Sequence, residues 1–478
     1  MPLKSLAQVI AFLLCSIVSS SAQDIITFEK TYGEEGWSYG GASVRQTTDH
    51  GYILFGVATN LTDYKYSWQL IKTDSVGNVE WKKRYGNEYS FESQNTVQQT
   101  SDGGYILCGS LGGPFEDSLV LIKTDPLGNQ IWINAYPVSS ERSVGRSVEE
   151  TMDGGFIIAG YAGRIMKEDV YVIKTDVLGV VEWSKTYGGF ALDRGHCVKQ
   201  TQEGHYFVLG ETISYGQGGY DIYVLKLNST GDTIWTKTYG TEANHEGGYS
   251  LDITSDGGII SLGVRHDLSP EMYAVKIDAD GNEMWNKQYG NDGWDFGNSV
   301  QQTADGGYFM AGIFTLSTAV GSEMHCIKTN ASGDIQWEKG FRKGKVNEAV
   351  SAQQTLDGGF IILGGTVYVG DSINTGYMYL VKIDSLGNGA LPENTQGDYE
   401  LTICPNPFTQ NTVIKFDVPL DAAYTLQLFD AQGKDLGRKS GIAHDVIFIE
   451  RNDLPAGAYF FQIISGNRVI GKGKIIAL

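Results

Sequence analysis

The stretch from Thr100 to Leu107 reads TSDGGYIL, and a carboxylate beside two glycines is a combination that can hold a metal ion or a phosphate group. Related stretches occur six more times, and their acidic residue recurs every 49 to 53 positions. The seven acidic residues are Asp49, Asp102, Asp153, Glu203, Asp256, Asp305 and Asp357. Repetition at this period indicates a structural unit, so we interpret the stretch as a turn rather than a ligand site.

Other carboxylates have the chemistry of a glycosidase, which needs two acids about 5 to 10 Å apart across the scissile bond. The candidates for such a pair are Glu35, Asp193, Glu246, Asp292 and Asp295. Four acids, however, occupy one position of the repeat, namely Glu92, Asp193, Glu246 and Asp295. Recurrence favours the capping of turns over catalysis, and we assign no catalytic residue.

Metal and cofactor chemistry has little support in the sequence. The segment DADGNE at 278–283 resembles half of a calcium loop, but its glycine is the fourth residue where such a loop has it sixth. The seven histidines form no pair at metal-ligand spacing, and no nucleophile-elbow or phosphate-loop pattern occurs. Four scattered cysteines are typical of buried apolar positions: Cys108, Cys197, Cys326 and Cys404. We therefore expect neither a metal nor a cofactor.

The elements around these residues form a repeated pair of hairpins. In the copy from Thr96 to Tyr136, the runs TVQQT and YILCGS flank the Asp-Gly-Gly turn, while SLVLIKTD and QIWINAY flank the turn PLGN. Glycine supplies the positive φ that such turns need, and the runs have the composition of strands. Each repeat therefore predicts four antiparallel strands, which we call A, B, C and D.

A tryptophan near the start of strand D occurs in six repeats, and a lysine near the end of strand C occurs in all seven. A large flat side chain in one register most simply packs one unit against the next. We therefore expect a structural role for Trp81, Trp132, Trp183, Trp235, Trp285 and Trp337.

The seventh repeat lacks its strand D, and the start of the chain supplies a match for it. Residues 28–33 read FEKTYG, which resembles WKKRYG at 81–86 and WTKTYG at 235–240. A strand that completes the last unit closes a ring and removes the open edges. We predict an all-β fold in which residues 24–390 form a seven-bladed β-propeller with four-stranded antiparallel blades. The hairpin IKTDPLGNQIW resembles the docking repeat of quinoprotein-type propellers, and the whole unit resembles the Asp-Gly-Gly repeats of secreted bacterial propellers.

The first 22 residues have the three parts of a secretory signal: a basic start with Lys4, an apolar run, and small residues up to Ala22. We expect cleavage of residues 1–22 before Gln23. No later stretch is long and apolar enough for a transmembrane segment. The net charge of -20 argues against nucleic acid and anionic membranes as partners.

The repeat ends near residue 390, and residues 391–400 read as a polar linker. Residues 401–478 have short alternating strands between Pro-Asn-Pro, Ala-Gln-Gly and Pro-Ala-Gly turns, a pattern that predicts a small Ig-like β-sandwich. The combination resembles the type A sorting domain of the type IX secretion system. The matching residues are Pro405, Asn406, Pro407, Asp430, Gly433, Leu454, Gly457, Tyr459, Lys472 and Lys474.

This resemblance implies a Gram-negative cell, export through the inner membrane by the leader, and outer-membrane passage by the type IX machinery, which would act on residues 401–478. The mature protein would be secreted or held at the cell surface.

The loops from strand B to strand C and the crossovers from strand D to the next strand A differ from copy to copy, whereas the other turns are uniform. We call the end of the propeller with the differing loops the variable face and the other end the uniform face. Loops on a rigid scaffold usually carry function, so we expect binding at the variable face. Its candidate aromatic residues are Trp37, Tyr39, Tyr64, Tyr66, Phe91, Tyr161, Tyr215, Tyr220, Trp294, Phe296 and Tyr368. Alternatively, these rings only fill gaps between the crossovers.

Three functions remain open from the sequence. The first is an exported, non-enzymatic propeller that binds a glycan or a surface protein. The second is a secreted polysaccharide-active enzyme that uses carboxylates of the variable face, and the third is a structural surface component.

Overall fold

The computed structural model describes fourteen segments of the chain: residues 26–86, 96–111, 118–138, 141–267, 269–291, 293–317, 321–369, 375–389, 401–416, 424–430, 434–442, 446–451, 454–465 and 468–478. The expected leader, the linker, Phe91, Glu92, Asp292 and Gly433 lie outside them. The chain divides into two compact units, Met1–Leu391 and Pro392–Leu478. Every element in the described segments is a β-strand, and none of these segments contains a helix long and apolar enough to cross a membrane.

The first unit consists of seven four-stranded antiparallel sheets, which confirms the seven blades. Each of the first six blades takes four consecutive strands from β2 to β25. The strands are β1 Phe28–Tyr32, β2 Trp37–Gln46, β3 Tyr52–Asn60, β4 Tyr66–Thr73, β5 Val79–Tyr85, β6 Thr96–Gln99, β7 Tyr105–Leu111, β8 Ser118–Thr124, β9 Gln130–Tyr136, β10 Arg142–Glu150, β11 Phe156–Arg164, β12 Lys167–Thr175, β13 Val181–Tyr187, β14 Asp193–Gln200, β15 Tyr206–Thr212, β16 Asp221–Leu227, β17 Thr233–Tyr239, β18 His245–Ile253, β19 Ile259–His266, β20 Pro270–Ile277, β21 Glu283–Tyr289, β22 Asp295–Gln302, β23 Tyr308–Ser317, β24 Gly321–Thr329, β25 Ile335–Phe341, β26 Val346–Gln354, β27 Phe360–Tyr368 and β28 Thr375–Ile383.

The seventh blade closes the ring with the first strand of the chain. Its sheet has the order β1-β28-β27-β26, and β1 runs antiparallel to β28 with Phe28 opposite Lys382. The prediction that the N-terminal strand completes the last blade is therefore confirmed. Closure leaves no open blade edge between the seventh blade and the first.

Each blade contacts the next through two aromatic residues of strand D. The Trp81 ring lies against Gly128 in the turn of the following blade, so closely that a Cβ at Gly128 would come within 2.6 Å of the ring. Tyr85 donates a hydrogen bond from its hydroxyl to the Gly128 carbonyl at 2.6 Å. Phe28 takes the place of the tryptophan at the ring closure, where it lies against Gly77. These contacts explain the fixed register of the aromatic residues and of the turn glycines.

The Asp-Gly-Gly turn of the opening stretch is held to strand C by an ion pair. Lys123, which is buried, lies 2.8 Å from the Asp102 carboxylate. Burial opposes the ionisation of Asp102, but hydrogen bonds from Lys123, Thr100 and a backbone N–H outweigh it and lower its pKa to about 2. Position 104 requires glycine, because a Cβ there would lie 2.1 Å from the Thr124 carbonyl oxygen and 2.7 Å from the Lys123 Nζ.

The fourth blade lacks this ion pair, and its sequence differs accordingly. His205 stands where the other turns have their second glycine, after Glu203. Lys226 turns away from this turn and donates to the Ala279 carbonyl of the next blade at 3.0 Å. The space that the strand C lysine occupies in the other blades is therefore available to the His205 side chain in the fourth blade.

The second unit is a sandwich of two antiparallel sheets with the orders β29-β30-β33 and β32-β31-β34-β35. Its strands are β29 Leu401–Cys404, β30 Asn411–Phe416, β31 Tyr424–Phe429, β32 Asp435–Ile442, β33 Val446–Glu450, β34 Gly457–Ser465 and β35 Arg468–Ala477. One apolar core joins the two sheets and includes Ile414, Ile447, Phe461 and Ile475. The predicted small β-sandwich is confirmed.

Candidate functional site

The seven A strands surround a central channel with a cavity of about 530 Å³, within the size range of small-molecule sites. Its wall contains residues of β2, β6, β10, β14, β18, β22 and β26. Because these strands run from the variable face to the uniform face, the same repeat positions form rings at successive depths.

One of these rings is built by β-bulges. In six of the A strands the pairing register with strand B shifts across one residue, and that residue faces the cavity. The six are Ala42, Arg146, His196, Tyr249, Asn298 and Val350, and we call them the bulge ring. A glycine in the facing strand B makes room for each bulge: a Cβ at Gly160 would lie 1.8 Å from the Val144 carbonyl oxygen.

The next ring toward the uniform face ties the blades together through hydroxyl groups. Ser147 accepts a hydrogen bond from the Val198 backbone N–H of the following blade at 3.2 Å, and Thr96 accepts from Val148 at 3.1 Å. Six of the seven positions make this bond, through Ser43, Thr96, Ser147, Ser250, Ser299 and Ser351. Cys197 stands at the seventh position, where its thiol instead contacts the Leu251 carbonyl at 3.9 Å.

A third ring, nearest the uniform face, contains equal numbers of positively and negatively charged side chains. Five of its side chains accept from a backbone N–H of the following blade: Gln98, Glu149, Asp252, Gln301 and Gln353. The two remaining positions hold the cations Arg45 and Lys199. Two cations thus face the two carboxylates of Glu149 and Asp252, and this ring adds no net charge to the channel.

The bulge ring differs from this balanced ring, because its polar and charged side chains lie on one side of the channel. Arg146, His196 and Tyr249 come from three neighbouring blades, whereas Ala42 and Val350 on the other side are small and apolar. The His196 side chain is only 8% exposed, and neither of its ring nitrogens makes a hydrogen bond within the described segments. Its Nε2 lies 3.6 Å from the Glu211 carboxylate.

Three arginines gather behind this side around the buried ring of Tyr161. The guanidinium carbons of Arg142, Arg146 and Arg194 lie 5.4, 5.5 and 4.9 Å from the ring centre. Arg142 and Arg146 both donate to the Tyr161 hydroxyl, at 3.1 and 3.4 Å. The fully buried Glu168 accepts from Arg194 at 3.2 Å. We call Arg142, Arg146, Arg194 and His196 the cationic sector.

The recurrent acids of the variable face cap the crossovers. Asp193 accepts from the Gly189 N–H at 2.8 Å and from the Ser214 hydroxyl at 2.7 Å, and Asp295 accepts from the Asn291 N–H at 2.7 Å. Glu246 accepts from both the N–H and the hydroxyl of Thr241. All three carboxylates are buried, so the capping interpretation is confirmed for them. Glu35 is exposed in the first crossover.

The structure separates the aromatic candidates into three groups. Exposed rings at the variable face are Tyr64, Tyr66, Tyr215, Trp294 and Tyr368, of which Tyr64 at 70% and Trp294 at 64% are the most exposed. Trp37, Tyr220 and Phe296 are partly buried, and Arg84 covers the Trp37 ring at 3.8 Å. Phe296 lines the cavity and stands two residues after Trp294.

Tyr39 and Tyr161 are buried, so the expectation that their rings lie open on the variable face is wrong. Both lie inside strands that extend further than their sequence suggested, since β2 begins at Trp37 and β11 continues to Arg164. Phe190, which is not among the aromatic candidates from the sequence, is fully exposed in the crossover before β14.

The residues that resemble a sorting signal come together in the second unit. The Asn406 amide donates to the Lys474 carbonyl at 2.9 Å and accepts from the Ile476 N–H at 2.7 Å. The Tyr459 hydroxyl donates to the Pro455 carbonyl at 2.6 Å. Asp430 accepts from the Lys434 N–H across its turn, and Lys472 is exposed on β35.

Residues 402–477 match the family described as the secretion system C-terminal sorting domain. The second unit is a type IX sorting domain. The chain is therefore an exported β-propeller whose sorting domain directs it to the secretion machinery. No curated protein sequence matches the chain significantly.

Among solved structures, the chain is similar to the β-propeller domain of the trilobed protease from Pyrococcus furiosus, with 11% identity, a TM-score of 0.41, and coverage of 75% of this chain and 98% of that one. It is also similar to an acylaminoacyl peptidase from Pyrococcus horikoshii, with 12% identity, a TM-score of 0.41, and coverage of 79% and 57%. A GH43_1 enzyme from Xanthomonas citri complexed with xylotriose shows 10% identity, a TM-score of 0.33, and coverage of 56% and 95%.

The channel was missed by sequence reasoning, which looked for a site only in the loops. A signal for it was present, because strand B of each repeat contains an interior glycine, as in YILCGS and FIIAGY. Glycine inside a strand often marks a bulge or a close backbone approach.

Proposed function

We propose that this exported propeller is a glycan-binding module that takes its ligand at the variable face, over the mouth of the central channel. The observation that carries the proposal is the bulge ring. Its residues are chemically diverse, whereas the hydroxyl ring directly beneath it is almost uniform. Repetition accounts for a uniform wall, but a level with different side chains at each blade suits a specific ligand.

Aromatic residues favour a sugar as that ligand. Trp294 is exposed at the variable face, and Phe296, two residues later, lines the cavity. Sugar rings stack on such flat apolar faces, while neighbouring polar groups fix their orientation. Asn298 follows in the same strand and presents an amide to the cavity. The crossover and strand of the sixth blade thus offer a continuous path from the surface into the channel.

The burial of the crossover acids disfavours the enzymatic alternative for these groups. Asp193, Glu246 and Asp295 are buried and accept hydrogen bonds from their own crossovers. A general acid or base must instead reach the bond that it cleaves. A binding module needs only the channel and the aromatic residues at its mouth.

A glycan array with the purified chain tests this proposal. We expect binding to one group of related glycans, without release of shorter products. Trp294→Ala should weaken binding by about tenfold, which corresponds to the loss of one stacked ring. The control is Leu386→Ala, since Leu386 is equally exposed but lies on the uniform face. A silent array, or equal binding by both variants, would contradict the proposal; binding of a surface protein alone would replace the glycan with a protein partner.

A further inference from the structure

The outermost strand of the second blade, β9, differs from the outermost strands of the other blades. Strand D forms the outer edge of every blade, and β9 has this place in the sheet β6-β7-β8-β9. Within the described segments, β9 pairs with β8 on one side, and no strand pairs with its other side. Such an edge presents a row of unpaired backbone N–H and C=O groups that a further strand can bind.

Six of the seven D strands have a lysine two residues after their tryptophan, or after Phe28 in β1. Lys83 donates to Asn129 in the turn of the following blade at 2.9 Å, and Lys287 donates to Asp334 in the same way at 2.5 Å. A lysine on an edge strand also opposes pairing with another chain. The six lysines are Lys30, Lys83, Lys185, Lys237, Lys287 and Lys339. In β9 this position is Asn134.

The acceptor of this lysine is missing as well. Val180 stands in the turn of the third blade where the other six turns have Asn or Asp, and its side chain is exposed. Asn134 instead donates from its amide to the Leu178 carbonyl at 3.0 Å. The rim between the second and third blades therefore has an exposed apolar side chain at the position of a polar contact.

The exposed side chains of β9 are apolar. Ile131 is 58% and Ile133 is 44% exposed, and Ala135 is exposed further along the strand. No charged residue occurs between Asp125 and Glu141. At the position of Ile133 the other D strands have a polar or charged residue, namely Glu29, Lys82, Ser184, Thr236, Asn286 and Glu338. Of the seven D strands, β9 alone lacks the charged side chains that protect a strand edge from pairing.

A second copy of β9 is complementary to this edge. When two such strands pair antiparallel about a two-fold axis at Ile133, each Ile133 lies opposite its own copy and each Ile131 opposite an Ala135. Trp132 then lies opposite Asn134. Apolar residues meet apolar residues in this register, and no charged side chain lies opposite another.

Charge also favours β9 over the other D strands for pairing between copies. The net charge of the chain is -20, so two copies repel each other where their surfaces are charged. The same pairing of β1, β5 or β25 would place Glu29, Lys82 or Glu338 opposite its own copy, and like charges in this position are destabilising. The remaining three D strands, β13, β17 and β21, keep their edge lysine.

We propose that two copies of the chain form a dimer through β9, in which their second blades join into one eight-stranded antiparallel sheet. Each copy contributes one strand of seven residues. Because this interface is small, we expect a dissociation constant of about 1 to 100 µM. β9 runs from the uniform face to the variable face, so antiparallel pairing directs the two variable faces in opposite directions. The proposal does not depend on what the variable face binds.

Sedimentation velocity of the full chain over the micromolar concentration range tests the proposal. We expect monomers at the lowest concentrations and dimers at the highest. Ile133→Lys, which gives β9 the residue that the first blade has at this position, should weaken dimerisation by about tenfold or more. Thr236→Lys is the matched control, because Thr236 is exposed at the same position of the fourth blade. This control should dimerise like the parent chain.

Cysteine cross-linking tests the register of the pair. Residues directly opposite each other in an antiparallel pair have Cβ atoms about 4.5 to 5.5 Å apart, close to the separation that a disulfide needs. Ile133→Cys should therefore give a disulfide-linked dimer on mild oxidation. Thr236→Cys, which has the same native cysteines, should remain monomeric on a denaturing gel.

A parent chain that stays monomeric at all concentrations would overturn the proposal, and so would full dimerisation of a folded Ile133→Lys chain. Equal cross-linking of Ile133→Cys and Thr236→Cys would also contradict pairing at β9. If Ile133→Lys lowers the melting temperature, Asn134→Lys replaces it, because six D strands already have a lysine at that position. Undiminished dimerisation of Asn134→Lys would then place the interface elsewhere and overturn the proposal.

Discussion

The hydroxyl of Tyr32 donates a hydrogen bond to the carbonyl oxygen of Gly77 at 2.8 Å and joins the first strand of the chain to the first complete blade. The same bond occurs between later blades, for example from Tyr136 to Gly179 and from Tyr289 to Gly333. The start of the chain therefore behaves as an ordinary strand D, and the ring closes with the contacts that join its other blades.

Deletion of residues 24–33 should destabilise the propeller strongly. It removes β1 together with the buried Phe28 and Tyr32, and it leaves β28 as an open edge. The loss of two buried aromatic residues alone corresponds to more than about 5 kcal/mol. Chemical unfolding measures the effect, with removal of residues 23–25 alone as the control. Equal stability of the two shortened chains would contradict closure by β1.

The ion pair of the Asp-Gly-Gly turn predicts a pH-dependent contribution to stability. The pKa of Asp102 is lowered from 3.8 to about 2, so its contribution is complete above about pH 4 and is lost as the pH falls toward 2. Asp102→Asn should lower the free energy of unfolding at pH 7 by no more than about 1 kcal/mol, because the carboxylate is largely exposed.

The fourth blade supplies the control for this experiment, since its lysine does not face the turn. Glu203→Gln should therefore leave stability unchanged at every pH. Urea unfolding between pH 2.5 and pH 7 compares the two variants. A cost of Asp102→Asn that is as large at pH 2.5 as at pH 7 would contradict the assigned role of the ion pair.

Cys197→Ser should stabilise the propeller. A hydroxyl at this position can accept a hydrogen bond from the Leu251 N–H. The six equivalent hydroxyls of the ring each accept one from a backbone N–H of their own following blade, and a hydrogen bond of this kind contributes about 1 kcal/mol. Cys326→Ser is the contrast, because Cys326 is buried in the core between two blades and the serine hydroxyl would have to be buried there too. Thermal unfolding should show opposite shifts, and a loss of stability in Cys197→Ser would disprove the missing-acceptor explanation.

Asn406→Ala should impair export of the chain. The substitution removes both hydrogen bonds that fix the Pro-Asn-Pro segment to β35 and so disturbs the region shared by two parts of the sorting signal. Asn411→Ala serves as the control, because Asn411 is exposed in the same unit. Immunoblots of periplasm, cell surface and medium measure the distribution. Normal export of Asn406→Ala would show that this contact is dispensable for sorting.

The blades and their closure could be predicted because they depend on local chemistry that repeats. Turn glycines such as Gly128 need a positive φ, and each tryptophan occupies one register of strand D. The residues of the channel could not be placed in this way. A bulge breaks the two-residue alternation of side chains along a strand. His196 and Tyr249 lie at such bulges and face the cavity, and alternation counted along the sequence does not predict this orientation.

The limits of local patterns also explain the two buried tyrosines. The glycine-rich ends of β2 and β11 resemble loops, but tertiary pairing extends both strands through Tyr39 and Tyr161. The charge around Tyr161 likewise depends on arginines from two blades, Arg142 and Arg146 of the third and Arg194 of the fourth. The packing of the third blade against the fourth brings these side chains together.

Binding through the channel is tested most directly by filling it. Ala42→Trp would place a large side chain in the cavity opposite the cationic sector, whereas Ala304→Trp adds the same side chain to an exposed turn of the uniform face. Glycan binding by both variants should be measured by titration, with melting temperatures to verify folding. Ligand recognition in the channel predicts that Ala42→Trp loses binding by about tenfold or more while Ala304→Trp binds like the parent chain; unchanged binding by a folded Ala42→Trp would contradict it.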